Sequence, residues 1–164
     1  MKKCEIELIN KLLSKLVGQP LRKICRAAAT VLMSYGDDDG YALHVDCSFR
    51  MTCGSRIVFA ISDMFLTSTK LIEEDDFDWG SFEWDVIGNN RFDERVKKYF
   101  YDEPFGFIVK KISVSKLGDL AISFENGFEL ELFASGLEEN WRFFECGDTD
   151  YHLVIAGGKI ERGR

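Results

Sequence analysis

Two histidines among 164 residues limit the proton-transfer chemistry open to this chain. His44 stands two residues before Asp46, so on an extended chain both side chains leave the same face. An imidazole beside a carboxylate can exchange protons near neutral pH. Ser48 and Arg50 continue that face, and with Asp63 or the Arg91–Arg95 cluster they would form a polar cleft for a small ligand or substrate. No GxSxG turn presents a serine nucleophile, so solvation is the ordinary expectation for this face. His152 opens an apolar run near the C-terminus, where a surface or edge position is the simpler expectation.

Metal and cofactor chemistry finds little support in the spacing. Cys4, Cys25, Cys47, Cys53 and Cys146 include no CxxC pair. A structural zinc site needs about four Cys or His ligands at short paired spacings. Cys47 and Cys53 share an apolar strand face, too far apart when extended to hold one ion, and read as small buried hydrophobes. The acidic run from Glu73 to Asp85 fails the calcium-loop pattern, because with Gly80 at the glycine place Phe77 and Trp79 fall on ligand places. Aligning Gly40 instead puts Tyr35 at the first ligand place, so Asp37 to Gly40 reads as a turn. Neither GxGxxG nor GxxxxGK[ST] occurs. No metal and no cofactor are expected.

The run EEDDFDWGSFEWD is the most distinctive stretch. In it Asp76, Asp78, Trp79, Phe82, Glu83, Trp84 and Asp85 interleave aromatics with acids. Aromatic side chains anchor protein interfaces, and acids around them suit a basic partner protein. The plainer alternative packs Trp79, Phe82 and Trp84 on a sheet and leaves the acids solvated. The net charge of −7 and pI of 4.9 disfavour nucleic acid as a partner. The same charge steers the chain toward basic surfaces, and it also serves plain solubility.

Periodicity supplies the elements that must position these residues. The length fits one domain, residues 1–164, and 46% hydrophobic residues with fourteen Phe can fill a core. An odd number of cysteines, no secretory signal and no apolar run near ~18 residues predict reduced thiols, a cytoplasmic setting and no membrane partner. Ile6, Ile9, Leu13 and Leu16 form one stripe of a helix over 4–17, closed by Gly18 and Pro20. Tyr41 to Cys53 alternate as one long strand. Opposing Tyr35 to Tyr41 sets Met33 against Leu43 and Val31 against Val45, which selects a strand over 29–35. Residues 21–28 fit either helix or strand. Arg56 to Ile61 reads as a third strand, and Asn90 as the N-cap of a short helix carrying Phe92 and Val96.

Register organises the C-terminal half. A three-residue loop, Glu125-Asn126-Gly127, opposes Phe124 to Phe128 and Ile122 to Leu130; a two-residue loop would set Phe124 against Glu129. The loop Lys116-Leu117-Gly118 likewise sets Val114 against Leu120. Trp141 to Phe144 and His152 to Ala156 follow as another pair of strands or a strand and a turn, and Gly157-Gly158 ends the last, leaving a frayed tail from Glu161. The predicted fold is α+β: an N-terminal helix packed on a largely antiparallel curved β-sheet with a C-terminal β-meander.

The strings CRAAATVLMSYG, YALHVDCSFRM, GNNRFDERV, GDLAISFENGFELELF, NWRFF and HLVIAGG, in that order, span nearly the whole chain. Together they resemble a family of small bacterial proteins of Gram-positive genomes with no assigned activity. The glycine-turn meander followed by WRFF is also similar in style to small immunity proteins, which neutralise toxins encoded beside them. The resemblance carries over no functional residue. Two functional expectations result. One is a non-catalytic protein-interaction module, an immunity-like inhibitor of a basic partner. The other is a small enzyme or ligand-binding protein using His44, Asp46 and Arg50. The missing catalytic motifs favour the first.

Overall fold

Alternating apolar residues build strands along the chain, and a computed structural model describes residues 1–37, 40–73, 78–102, 106–147 and 151–163. An N-terminal helix α1 (Lys3–Leu13) runs into a single 3-10 turn, and Gly18 leaves it with φ of +82°. Ile9, Leu13 and Leu16 are fully buried from this segment. Next come β1 (Leu21–Ala27), β2 (Thr30–Tyr35), β3 (Tyr41–Val45), β4 (Ser48–Cys53) and β5 (Arg56–Ala60). The short helices α2 (Thr69–Ile72) and α3 (Arg91–Val96) lie in the excursion that follows. The chain closes with β6 (Val109–Val114), β7 (Leu120–Phe124), β8 (Phe128–Phe133), β9 (Glu139–Glu145), β10 (His152–Ala156) and β11 (Lys159–Gly163).

These strands form two antiparallel sheets, not one curved sheet. The first has the order β1-β2-β3-β9-β10-β11, the second β5-β4-β8-β7-β6. The single strand expected over 41–53 is broken at Asp46-Cys47, where the chain passes from one sheet to the other. The alternation survives the corner: Leu43, Val45, Cys47, Phe49 and Met51 are all buried. Inward parity is kept while the hydrogen-bonding neighbour changes from β9 to β8. The Asp46 N–H donates to the Asn140 carbonyl at 2.9 Å. The buried Asn140 side chain holds the return crossing, accepting from the Ser135 and Gly136 N–H groups and donating to the Gly136 and Glu138 carbonyls.

The predicted registers hold where both strands exist. Tyr35 lies opposite Tyr41, Met33 opposite Leu43 and Val31 opposite Val45. In the meander Ile122 faces Leu130 and Val114 faces Leu120. Gly118 and Gly127 both take the left-handed conformation, with φ of +99° and +84°. Residues 21–27 are strand, paired along β2. Residues 161–163 of the tail are not frayed: they belong to β11, which pairs with β10 through the turn at Gly157-Gly158; Arg164 lies outside the described residues. Phe92 of α3 inserts edge-on between Phe49 of β4 and Phe59 of β5, so α3 is tied to the core shared by both sheets.

Candidate interaction face

The excursion from Ile61 to Asp102 leaves the second sheet after β5 and returns at β6. A buried arginine fixes its middle. Arg26 follows Ile24 by two residues on β1, so it points to the same inward face. Its guanidinium grips both carboxylate oxygens of Asp93 on α3, at 2.9 and 2.8 Å. It also donates to the carbonyls of Ala28, Trp84, Asp85 and Val86, at 3.1–3.3 Å. A buried cation is tolerated when its donors are satisfied and its charge is paired, and both conditions hold here.

Asn90 completes the clamp. Its side-chain oxygen accepts from the Asp93 N–H, capping α3, and its amide donates to the Trp84 carbonyl at 2.7 Å. Thr67 bridges Asn90, the Ser68 N–H donates to the Asn89 carbonyl, and the Arg91 N–H donates to the Leu66 carbonyl. Residues 65–68 are thereby laid beside 89–91, and the Phe65 ring meets Trp84 with centroids 5.2 Å apart.

The clamped loop presents apolar side chains outward. Phe65, Leu66, Ile72, Val86 and Ile87 are all exposed, Ile87 at 67%. Phe82 and Trp84 are half-buried, whereas Asp78, Glu83 and Asp85 are exposed. Asp78 also caps a one-turn 3-10 helix by accepting from the Gly80 N–H at 2.9 Å. The backbone of Trp79 belongs to that turn; its side chain, and Asp76 entirely, lie outside the described residues.

Charge is concentrated in the same place. Between Leu71 and Asn90 the sequence holds seven acids and no lysine or arginine. Of the 28 acids in the chain that leaves 21, against 21 Lys and Arg, so the other residues balance. The whole net charge of −7 resides in this stretch.

The polar strand face is arranged differently. His44 is half-buried, edge-on to Phe144 at 5.0 Å, and Phe144 stacks on His152 at 4.2 Å. Desolvation, then the charge of Arg142, holds the His44 pKa below its usual range, with Asp46 and Glu139 opposing. Asp46 accepts a hydrogen bond from the Thr30 hydroxyl. Arg50 stands on the other sheet, forked onto Glu131, with its guanidinium 5.2 Å from the centre of the Phe133 ring. Asp63 accepts from the Ala60 N–H at 2.8 Å, fixing the turn after β5. His44 and Asp46 thus share a face, while Arg50 and Asp63 are committed elsewhere.

No protein-family model, curated protein or solved structure matches the chain. Among the described residues no group of three or more His, Cys, Asp and Glu side chains is placed to hold a metal ion, and no helix is long and apolar enough to cross a membrane. Burial pushes the Cys47 thiol up to about 12, as suits a small hydrophobe rather than a nucleophile. Sequence reasoning missed Arg26 and Asn140. The signal for Arg26 was an arginine at an inward parity position, readable only once residues 21–27 are assigned to a strand.

Proposed function

We propose that this protein is a non-catalytic interaction module that docks a basic protein surface through the excursion at 65–87. The carrying observation is coincidence: the stretch between Leu71 and Asn90 that holds the net charge exposes Ile72, Val86 and Ile87, Phe65 and Leu66 are exposed just before it, and Arg26 and Asn90 pin the backbone at 84–86. Apolar anchors supply affinity when they leave water, and surrounding charges speed encounter and reject wrong partners. A backbone already fixed loses little freedom on binding. An inhibitor of the immunity type, covering the basic working surface of its target, is one form this reading takes.

The test uses the intact chain as bait, alone and as a Glu83→Lys/Asp85→Lys variant of unchanged circular dichroism. The captured partner is then footprinted by hydrogen exchange. A stoichiometric basic partner that protects residues 65–87 and is lost by the variant supports the reading. A partner retained equally by the variant, or protection confined to another face, overturns it.

A further inference from the structure

On the other side of α3 lies a cavity with the opposite character. It measures about 370 Å³ and is lined by Arg56, Arg91, Arg95 and Lys98, with Thr69, Glu94 and Tyr99 completing the wall. Arg91, Arg95 and Lys98 recur at spacings of four and three, which sets them along one helical face. Arg56 approaches from the start of β5.

None of the four cations has a carboxylate partner among the described residues. Glu94, the one acid among the described residues of the wall, already accepts from both the N–H and the hydroxyl of Thr69. Arg95 donates to the Val58 carbonyl, which directs its guanidinium but leaves its charge unmatched. The Nε of Arg91 is buried without a hydrogen-bond partner among the described residues. Buried donors are satisfied in nearly all native structures, so this orphan leaves the Arg91 guanidinium incompletely partnered beside the cavity it lines. Four like charges gathered on one wall repel each other, and an anion among them relieves that repulsion.

The cavity continues into a second one of about 260 Å³, which shares Arg56, Arg95 and Tyr99 and is walled by Cys53, Ile57, Val58 and Phe128. One compartment is cationic and its neighbour apolar. Four cations against one committed acid exceed what a single carboxylate would balance, whereas arginine forks match the oxygens of a dianionic phosphate.

We infer that this paired cavity binds a small organic phosphate, its phosphate among Arg56, Arg91, Arg95 and Lys98 and its apolar or aromatic body against Ile57, Val58 and Phe128. The inference does not rest on the docking reading: of the named wall residues Thr69 alone belongs to 65–87, and the class of ligand differs.

Phenyl phosphate and inorganic phosphate serve as probes, titrated into the intact protein by calorimetry and by amide NMR. Phenyl phosphate is expected to bind saturably, about tenfold or more tighter than inorganic phosphate, with shifts centred on Arg56, Arg91, Arg95 and Tyr99. Arg91→Gln and Lys98→Gln should each weaken it several-fold, and Arg22→Gln, on the remote pair with Asp37, should not. Lys98 is exposed, so its variant reports on binding even where Arg91→Gln fails to fold. Saturation absent at millimolar probe, shifts centred elsewhere, or unchanged affinity in Lys98→Gln would overturn the assignment. Equal affinity for the two probes would overturn its apolar half.

Discussion

At the scale of single residues, Arg26 is the side chain on which the interaction face depends. Truncation to alanine strips the guanidinium fork from Asp93, which keeps the Gly88 N–H, and takes a donor from four carbonyls, of which those of Trp84 and Val86 keep another. Removing one partner of a buried pair costs about 3–5 kcal/mol, so Arg26→Ala should lower urea stability by that order. A loss below about 1 kcal/mol would mean that the clamp is dispensable. His44 offers a test of different sign. Its folded pKa lies below the ordinary 6.5, so as pH falls the unfolded chain takes up the proton first. The stability linked to neutral His44 is therefore complete above about 6.5 and lost as pH drops toward the folded value. Arg142→Gln removes a nearby positive charge and frees Glu139, and both changes should raise the His44 pKa in an imidazole NMR titration. A pKa unmoved by that substitution would leave desolvation as the whole cause.

At the scale of elements, the two meander glycines separate backbone strain from crowding. Both have positive φ, but a Cβ on Gly127 meets open space, whereas one on Gly118 would lie 2.6 Å from Ile155 Cγ2. The left-handed backbone alone costs an L-residue roughly 1–2 kcal/mol, and overpacking adds about 1–3. Gly118→Ala should thus destabilise about twice as much as Gly127→Ala in paired urea titrations; equal losses would mean that β10 gives way freely. Gly118 is further tied in because its carbonyl accepts from the Trp141 indole at 2.7 Å. These turns were legible in the sequence because register couples them to face: only a three-residue loop sets Phe124 against Phe128. The corner at Asp46-Cys47 was not legible, because alternation runs through it unbroken. Period two records which way a side chain points and says nothing about which strand lies alongside. The excursion's acids and aromatics were equally plain in the sequence, but its anchor was not. Arg26 acts through carbonyls at 84–86, some sixty residues away, and no local pattern encodes that contact. The cationic cavity was hidden for the same reason, since Arg56 joins the Arg91–Lys98 face only in three dimensions.

At the scale of the whole molecule, charge is the property that structure and sequence jointly explain. One core cluster spans both sheets, so the two sheets are expected to unfold together. Outside one stretch the charges balance in number; the exception is the seven acids between Leu71 and Asn90, a stretch with no lysine or arginine of its own. Uncompensated like charges repel, and the repulsion reaches about 30 Å at 0.01 M salt but only about 8 Å at 0.15 M. Adding salt over that range should therefore stabilise the free protein. Neutralising two of the acids, as Glu83→Gln/Asp85→Asn, should raise low-salt stability by about 0.2–1 kcal/mol and flatten the salt dependence. Those same acids are the ones proposed to steer a basic partner. The variant should accordingly associate more slowly with it at low salt while dissociating at nearly the same rate, since steering acts on encounter. Thermal melts at two salt concentrations, together with association kinetics on the captured partner, read both quantities from one substitution. Gained stability with lost association rate would show that the molecule retains a destabilising charge because its partner needs it. Gained stability with unchanged association would assign the acids to solubility and leave the exposed apolar side chains as the whole of the interaction face.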